Sequence, residues 1–301
     1  MPIAVLYVTV VLIWGTTWAA IPYQLGVVAE ELSVAYRFAI ASLALFAYAK
    51  FRGRKLAIPC QHYPLIMVMG ALLFSINYLF VYYGAGYLSS GLVAILLSLI
   101  VVFNSLFERL FFGRPFERRL QIAAVVGIAG ISLVFWPEVI HLSFADRTTL
   151  GVTWVLLAVI IAALANMTAV INTSRGFSLV AVNAHAMGWG ALTSLAIAVF
   201  LGRPFNFLLT PEYLLSLFYL AIFGSSIAFG CYLSLLQKIG AARAAYSSVL
   251  FPVVALFMAT FLEDYQWRPM AVIGIALTLA GNWLALTRIT SPSSSTKYKE
   301  K

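Results

Sequence analysis

Charge is scarce in this chain: Asp, Glu, Lys and Arg make up 10% of 301 residues, where a soluble domain carries about a quarter. No polar stretch is long enough to form a separate solvated domain. The formal net charge of +9 therefore does not mark a nucleic-acid binder, which clusters Lys and Arg on such a surface. Only two cysteines occur, Cys60 in a loop and Cys231 in an apolar run, so no disulfide framework is implied. The N-terminal "MPIAVLYVTV" lacks the basic segment of a secretory signal and reads as a first retained span. No Asp or Glu falls mid-way along an apolar run, so the central carboxylate relay of many proton-driven carriers is missing. Paired Asp motifs and His grouped with acids are also lacking. Glu263 and Asp264 stand alone, and His62 and His141 belong to opposite faces, so the sequence implies no catalytic residue, metal or cofactor.

What the chain does contain is apolar: 63% of residues are hydrophobic and 15% aromatic. Apolar runs long enough to cross ~30 Å of hydrocarbon recur near 3–25, 32–50, 63–87, 90–112, 118–137, 150–172, 180–202, 212–236, 242–262 and 268–289. They lack strict alternation, and backbone polar groups in lipid are satisfied within helices, so the class is an all-α integral membrane protein of ten transmembrane helices. With the N-terminus cytoplasmic, 15 Lys and Arg fall on the cytoplasmic side and only Arg147, Arg203 and Arg268 outside. That bias places both termini in the cytoplasm. The tail 291–301, "SPSSSTKYKEK", reads as polar and disordered.

One cation escapes this ledger. Arg37, in "SVAYRFAIAS", is the only formal charge assigned inside a span. With span 2 starting near Leu32 it lies roughly 7–8 Å deep, within reach of snorkelling or of pairing with Glu30 or Glu31. Two readings stand: a structural anchor at the outer rim, or a gating contact for a substrate carboxylate. The depth favours the rim over a central clamp.

The chain also aligns with itself at an offset of 151: Ser75 meets Ser226, Ala94 meets Ala245, Leu99 meets Leu250 and Gly130 meets Gly281. The breaks between spans superpose as well. Two halves of five spans follow, residues 1–140 and 148–290, and because five is odd the second enters the membrane inverted. Inverted halves that exchange conformations expose one central site to each side in turn, which is transport by alternating access.

"LIWGTTWAAI", an acidic loop and "AYRFAIASLALF" resemble the opening of an EamA-like domain of the drug/metabolite transporter superfamily. The second copy carries the later signature in "GAARAAYSSVLFPVVALFMATFLEDYQWRPMAVIGIALTLAG", with Pro252 and Glu263 at the family's proline and acidic positions, where the first copy has Val101 and Phe112. The resemblance implies a ten-helix, two-repeat carrier exporting amino acids or other small metabolites across a bacterial inner membrane. In length and aromatic richness the chain is similar to the aromatic amino-acid exporter branch. The superfamily's small multidrug exporters depend on a glutamate in the first helix, absent here, and its phosphate-ester carriers need several buried cations.

Candidate cavity residues are aromatic and hydroxyl groups at helical spacing: Trp14, Thr17 and Trp18; Asn77, Tyr78 and Tyr82; His185 and Trp189; Ser226 and Tyr246. They suit a bulky neutral or zwitterionic solute with a few orienting polar contacts, although such residues also form interfacial belts and helix contacts. His185 near the inner mouth and Arg37 near the outer are candidate guards. Pro252 is a candidate hinge whose freed carbonyls bind solute or bond to Ser247 and Ser248. The glycine faces of spans 5 and 10 mark either a packing core or a homodimer contact. The partners expected are the bilayer and a small-molecule substrate, for a monomer or a homodimer.

Overall fold

The computed structural model describes residues 1–88, 90–140, 146–262 and 268–286. His141, Glu263, Asp264 and the tail 291–301 lie outside them. Among the described residues there are no strands, and ten longer helical segments follow one another, with short helical turns over Ile21–Gln24, Cys60–His62 and Trp136–Ile140 between them. They are α1 (Ile3–Ala20), α2 (Glu30–Phe51), α3 (63–85), α4 (90–112), α5 (Arg118–Val134), α6 (Asp146–Ser174), α7 (Leu179–Phe200), α8 (Pro211–Ile239), α9 (Ala241–Leu262) and α10 (Pro269–Leu286). Among the described residues seven of these are long and apolar enough to cross a membrane by length and composition, and Ile3–Thr17 adds a shorter apolar stretch.

The segments start and stop for local reasons. α1 ends at Ala20, short of the expected residue 25, because a 3₁₀ turn over Ile21–Gln24 takes over with Pro22 in its first turn. α2 begins at Glu30, so both acids of the expected loop sit in its first turn, where carboxylates suit the helix dipole. α4 is interrupted at Leu99 and closes on Gly113, whose left-handed φ of 65° caps the helix by donating its N–H to the Arg109 carbonyl.

α3 and α8 each contain a π-helical turn, over Leu72–Ile76 and Leu220–Ile227. Shifted by 151, the first falls on 223–227, inside the second. A π turn mismatches the helical ladder and frees carbonyls, and such turns gather at functional sites. In α8 the Ser225 and Ser226 hydroxyls donate to the Leu220 and Ala221 carbonyls at 3.0 and 3.1 Å.

The helix pairings carry a two-fold relation between the halves. α5 packs on α10 and α2 on α7, the two most extensive pairs, and α4 on α9. The remaining contacts come in matching sets: α1 touches α8 and α9 as α6 touches α3 and α4, and α2 touches α8 as α7 touches α3. The halves therefore interleave. The α5–α10 contact is backbone-close: a Cβ added at Gly130 would stand 2.6 Å from the Thr278 nitrogen, and one at Gly274 2.5 Å from the Gly130 carbonyl oxygen. These glycine faces are consumed inside one chain, which removes the homodimer alternative for them.

Candidate functional site

The centre of the bundle is an aromatic chamber built from side chains of α1, α3, α8 and α9 beside the α8 π turn. Tyr78 and Phe229, equivalent at the 151 offset, bring their ring centroids to 6.5 Å. Phe229 lies 4.8 Å from Phe74 and 4.7 Å from Trp14, and Trp14 continues to Tyr232 and Phe251 at 5.2 and 5.4 Å. The Trp14 indole donates to the Gly224 carbonyl at 2.8 Å, one of the acceptors in the π turn. Thr17 donates to the Trp14 carbonyl at 2.6 Å.

Arg37 enters this chamber. It is 2% exposed, among the largest fully buried side chains. Its Nε donates to Ser225 Oγ at 2.9 Å, and its guanidinium lies 4.8 Å from the Tyr78 ring centroid and 5.4 Å from that of Phe38. Tyr82 interacts with it electrostatically. A Cβ added at Gly224 would stand 3.3 Å from Arg37 Nη2 and 3.0 Å from Thr17 Cγ2, so glycine leaves the guanidinium its room. Nη1 has no hydrogen-bond partner in the protein, and no ion pair to Arg37 occurs among the described residues.

The rim placement of Arg37 is thereby corrected. Its expected pairing with Glu30 or Glu31 is not made, because the side chain turns toward mid-helix residues of α3 and α8. Glu31, 0% exposed, instead accepts from Arg203 Nη2 and Nε at 3.2 and 3.3 Å, and from the Tyr83 hydroxyl. This tie joins α2, α3 and the α7–α8 loop on the face that the charge bias assigns to the outside. Asn206 strengthens it by donating to the Val27 carbonyl at 2.8 Å. Glu31→Gln and Arg203→Gln should each lower the melting temperature in detergent. The double variant should lose less than the sum, with a coupling of about 1–2 kcal/mol for a partly buried, multiply bonded pair. Strict additivity in that cycle would deny the tie any energetic role.

The opposite face has its own tie. Glu108, expected within reach of water, is 7% exposed, because one carboxylate oxygen accepts from Arg114 Nη1 and from the Ala241 N–H, both at 2.7 Å. It neutralises the N-terminus of α9. Gly240 precedes it at a left-handed φ of 84°. Nearby, Arg243 Nη2 bridges both oxygens of Glu117 at 2.7 and 2.6 Å.

The other candidates divide. Trp14, Thr17, Tyr78 and Tyr82 line or border the chamber, whereas the Trp18 side chain lies outside the described residues. Asn77 makes only a long 3.5 Å contact to the Leu73 carbonyl. Ser226 bonds the Ala41 carbonyl at 3.2 Å and so holds α8 against α2. Tyr246, expected in the cavity, is fully buried away from it and donates to the Leu120 carbonyl, while its own carbonyl accepts from Asn282 at 2.8 Å. α9 passes through Pro252, and Ser247 and Ser248 bond to Ala244 and Ala245 instead of to carbonyls freed by the proline.

His185 and Trp189 belong to a separate groove of about 520 Å³ between α2 and α7, which they line with Ser42, Phe46, Tyr63 and Leu192. Its polar groups are already engaged: His185 Nε2 with the Leu56 carbonyl at 3.1 Å, Ser42 Oγ with the Ala184 carbonyl at 2.7 Å. The groove offers no buried charge. The chamber is the better functional candidate, since it holds a buried cation with a free donor. The sequence signal that points to it is the coincidence of Ser225 and Ser226 with Phe74 and Ser75 at the repeat offset. Phe38, Gly224, Phe229 and Phe251 carry no motif of their own.

An all-helical bundle of interleaved halves, with polar ties at both ends and a polar group in an aromatic centre, defines a membrane carrier. The chain belongs to the EamA-like transporter family, whose profile matches residues 1–136 and again 149–287. It is similar to Protein PagO of Salmonella typhimurium, 28% identical over 98% of both chains. The inner membrane transporter YedA of Escherichia coli is 26% identical over 89% of this chain and 87% of its own. The transporter YoaV of Bacillus subtilis is 22% identical over 91% and 93%. A solved crystal structure with 20% sequence identity shares the fold at a TM-score of 0.78, covering 94% of this chain and 96% of that one. The protein is thus a membrane transporter.

Proposed function

We propose that the protein exports amino acids, neutral and aromatic ones foremost, or similar small carboxylate-bearing metabolites across a bacterial inner membrane by alternating access. Both termini are cytoplasmic in this reading, and residues 1–140 and 148–290 act as the two repeats. The observation that carries it is Arg37: a guanidinium 2% exposed, bonded through Nε to Ser225 and partnered by the Tyr82 side chain, with Nη1 unpartnered and no carboxylate beside it among the described residues. A desolvated cation without a carboxylate is unfavourable unless a ligand supplies one. The substrate carboxylate meets Arg37, and the apolar body lies among Trp14, Phe74, Tyr78 and Phe229.

Exchange of the Glu31 tie for the Glu108 tie would open one face and close the other, with Pro252 and the π turns as the points of bending. Movement is facilitative, because both buried carboxylates of the described residues are engaged in those ties. The test is uptake of labelled amino acids, purines and sugars into liposomes holding the purified protein. Phenylalanine and tyrosine should enter down their gradients. Uptake of a purine or sugar with failure of every amino acid would overturn the substrate assignment. Accumulation driven by a pH gradient alone would contradict the facilitative mode.

A further inference from the structure

We infer that the site around Arg37 prefers small aromatic monocarboxylates lacking an ammonium group to the corresponding amino acids. This rests on the carboxylate-binding role of Arg37 given above. The groups packed against the guanidinium are Phe38, Tyr78, Tyr82, Ser225 and the Gly224 backbone, and none carries negative charge. An anionic ligand brings the site to neutrality. A zwitterion delivers the same carboxylate and adds an ammonium beside the guanidinium, where water is excluded and like charges repel strongly.

Among the described residues no carboxylate makes a hydrogen bond or ion pair with the groups around Arg37, so no counter-charge compensates that ammonium. Its carbon is bonded directly to the carboxylate carbon, so it stays close to Arg37. Glu30 is roughly two helical turns away along α2 and reaches the site only as a field at Tyr82, and Glu31 is tied through Oε1 to Arg203 and Tyr83, its buried Oε2 being unpartnered. Glu108 is held by Arg114 and the start of α9. Carbonyls of the α8 π turn that suit an ammonium already accept: Gly224 from Trp14, Leu220 from Ser225, Ala221 from Ser226. The Tyr78 ring, a cation–π partner for an amine, already faces Arg37 at 4.8 Å.

The test compares 3-phenylpropionate, L-phenylalanine and 2-phenylethylamine, which share a ring and differ in charge. Binding is measured by calorimetry on the detergent-solubilised full chain near neutral pH. 3-Phenylpropionate should bind at least about tenfold more tightly than phenylalanine, the order expected for one uncompensated like-charge contact, and 2-phenylethylamine should not compete. Arg37→Gln should abolish 3-phenylpropionate binding; Arg37→Lys should weaken it. Melting curves verify that both variants are folded. Equal or tighter binding of phenylalanine that still depends on Arg37 overturns this inference and leaves the carboxylate reading standing. If neither carboxylate binds, or binding is unchanged in both folded variants, both readings fall.

Discussion

Arg37→Gln is expected to lower solute binding and transport at least about thirtyfold while leaving the melting temperature unchanged or raised. The two effects have one cause. In the free protein the guanidinium is desolvated, with Ser225 and Tyr82 as polar partners and two aromatic contacts, to Tyr78 and Phe38. Such cation–π contacts are worth about 2 kcal/mol each when desolvated, which does not cancel the several kcal/mol of burying an ion. Glutamine removes the charge, keeps a donor for Ser225 and relieves that penalty. Removing one partner of a buried ion–ligand pair costs about 2–5 kcal/mol in binding, or roughly thirtyfold to several thousandfold. A structural anchor predicts the reverse, transport preserved and melting temperature lowered. Parallel flux and melting measurements on the one variant separate the two.

Gly274→Val is expected to destabilise the protein by on the order of 3 kcal/mol, read as a lower melting temperature and loss of monodisperse protein in detergent. The first added carbon alone would stand 2.5 Å from the Gly130 carbonyl oxygen and 2.7 Å from the Val134 nitrogen. Both are backbone atoms, so relief requires α5 and α10 to move apart. Close backbone approach through small residues drives helix association in lipid, where apolar burial between helices gains little. Gly230→Ala in α8 is the control. No atom lies within 4 Å of its added carbon, so it should be neutral or slightly stabilising. Equal losses from both variants would mean that helix propensity, and not the α5–α10 contact, sets the effect.

How much of the site was legible depends on the residue. Trp14, Thr17, Tyr78 and Tyr82 are readable because four-residue spacing places groups on one helical face. His185 and Trp189 show the same spacing and face a different groove, since spacing fixes a stripe but not the neighbour that the stripe meets. Arg37 was misplaced for a related reason. An arginine side chain can point toward the interface or toward the bundle, and Gly224 and Ser225 on α8 make the inward direction available.

Composition and hydropathy by themselves determined the class, because lipid leaves a chain with 10% charged residues no way to satisfy its backbone except helices. The 151-residue offset likewise pointed to two related halves, and the family profile matches the chain twice, over 1–136 and 149–287. The tertiary structure decided what one-dimensional order cannot carry. It gave Glu31 to Arg203 instead of Arg37, turned the glycine faces of α5 and α10 toward each other, and set Tyr78 of α3 and Ser225 of α8 around a cation without an ion pair among the described residues. Those outcomes depend on contacts between residues some 140 to 190 positions apart, and in a bilayer such contacts are set by close packing and polar pairing rather than by hydrophobicity, which every helix shares.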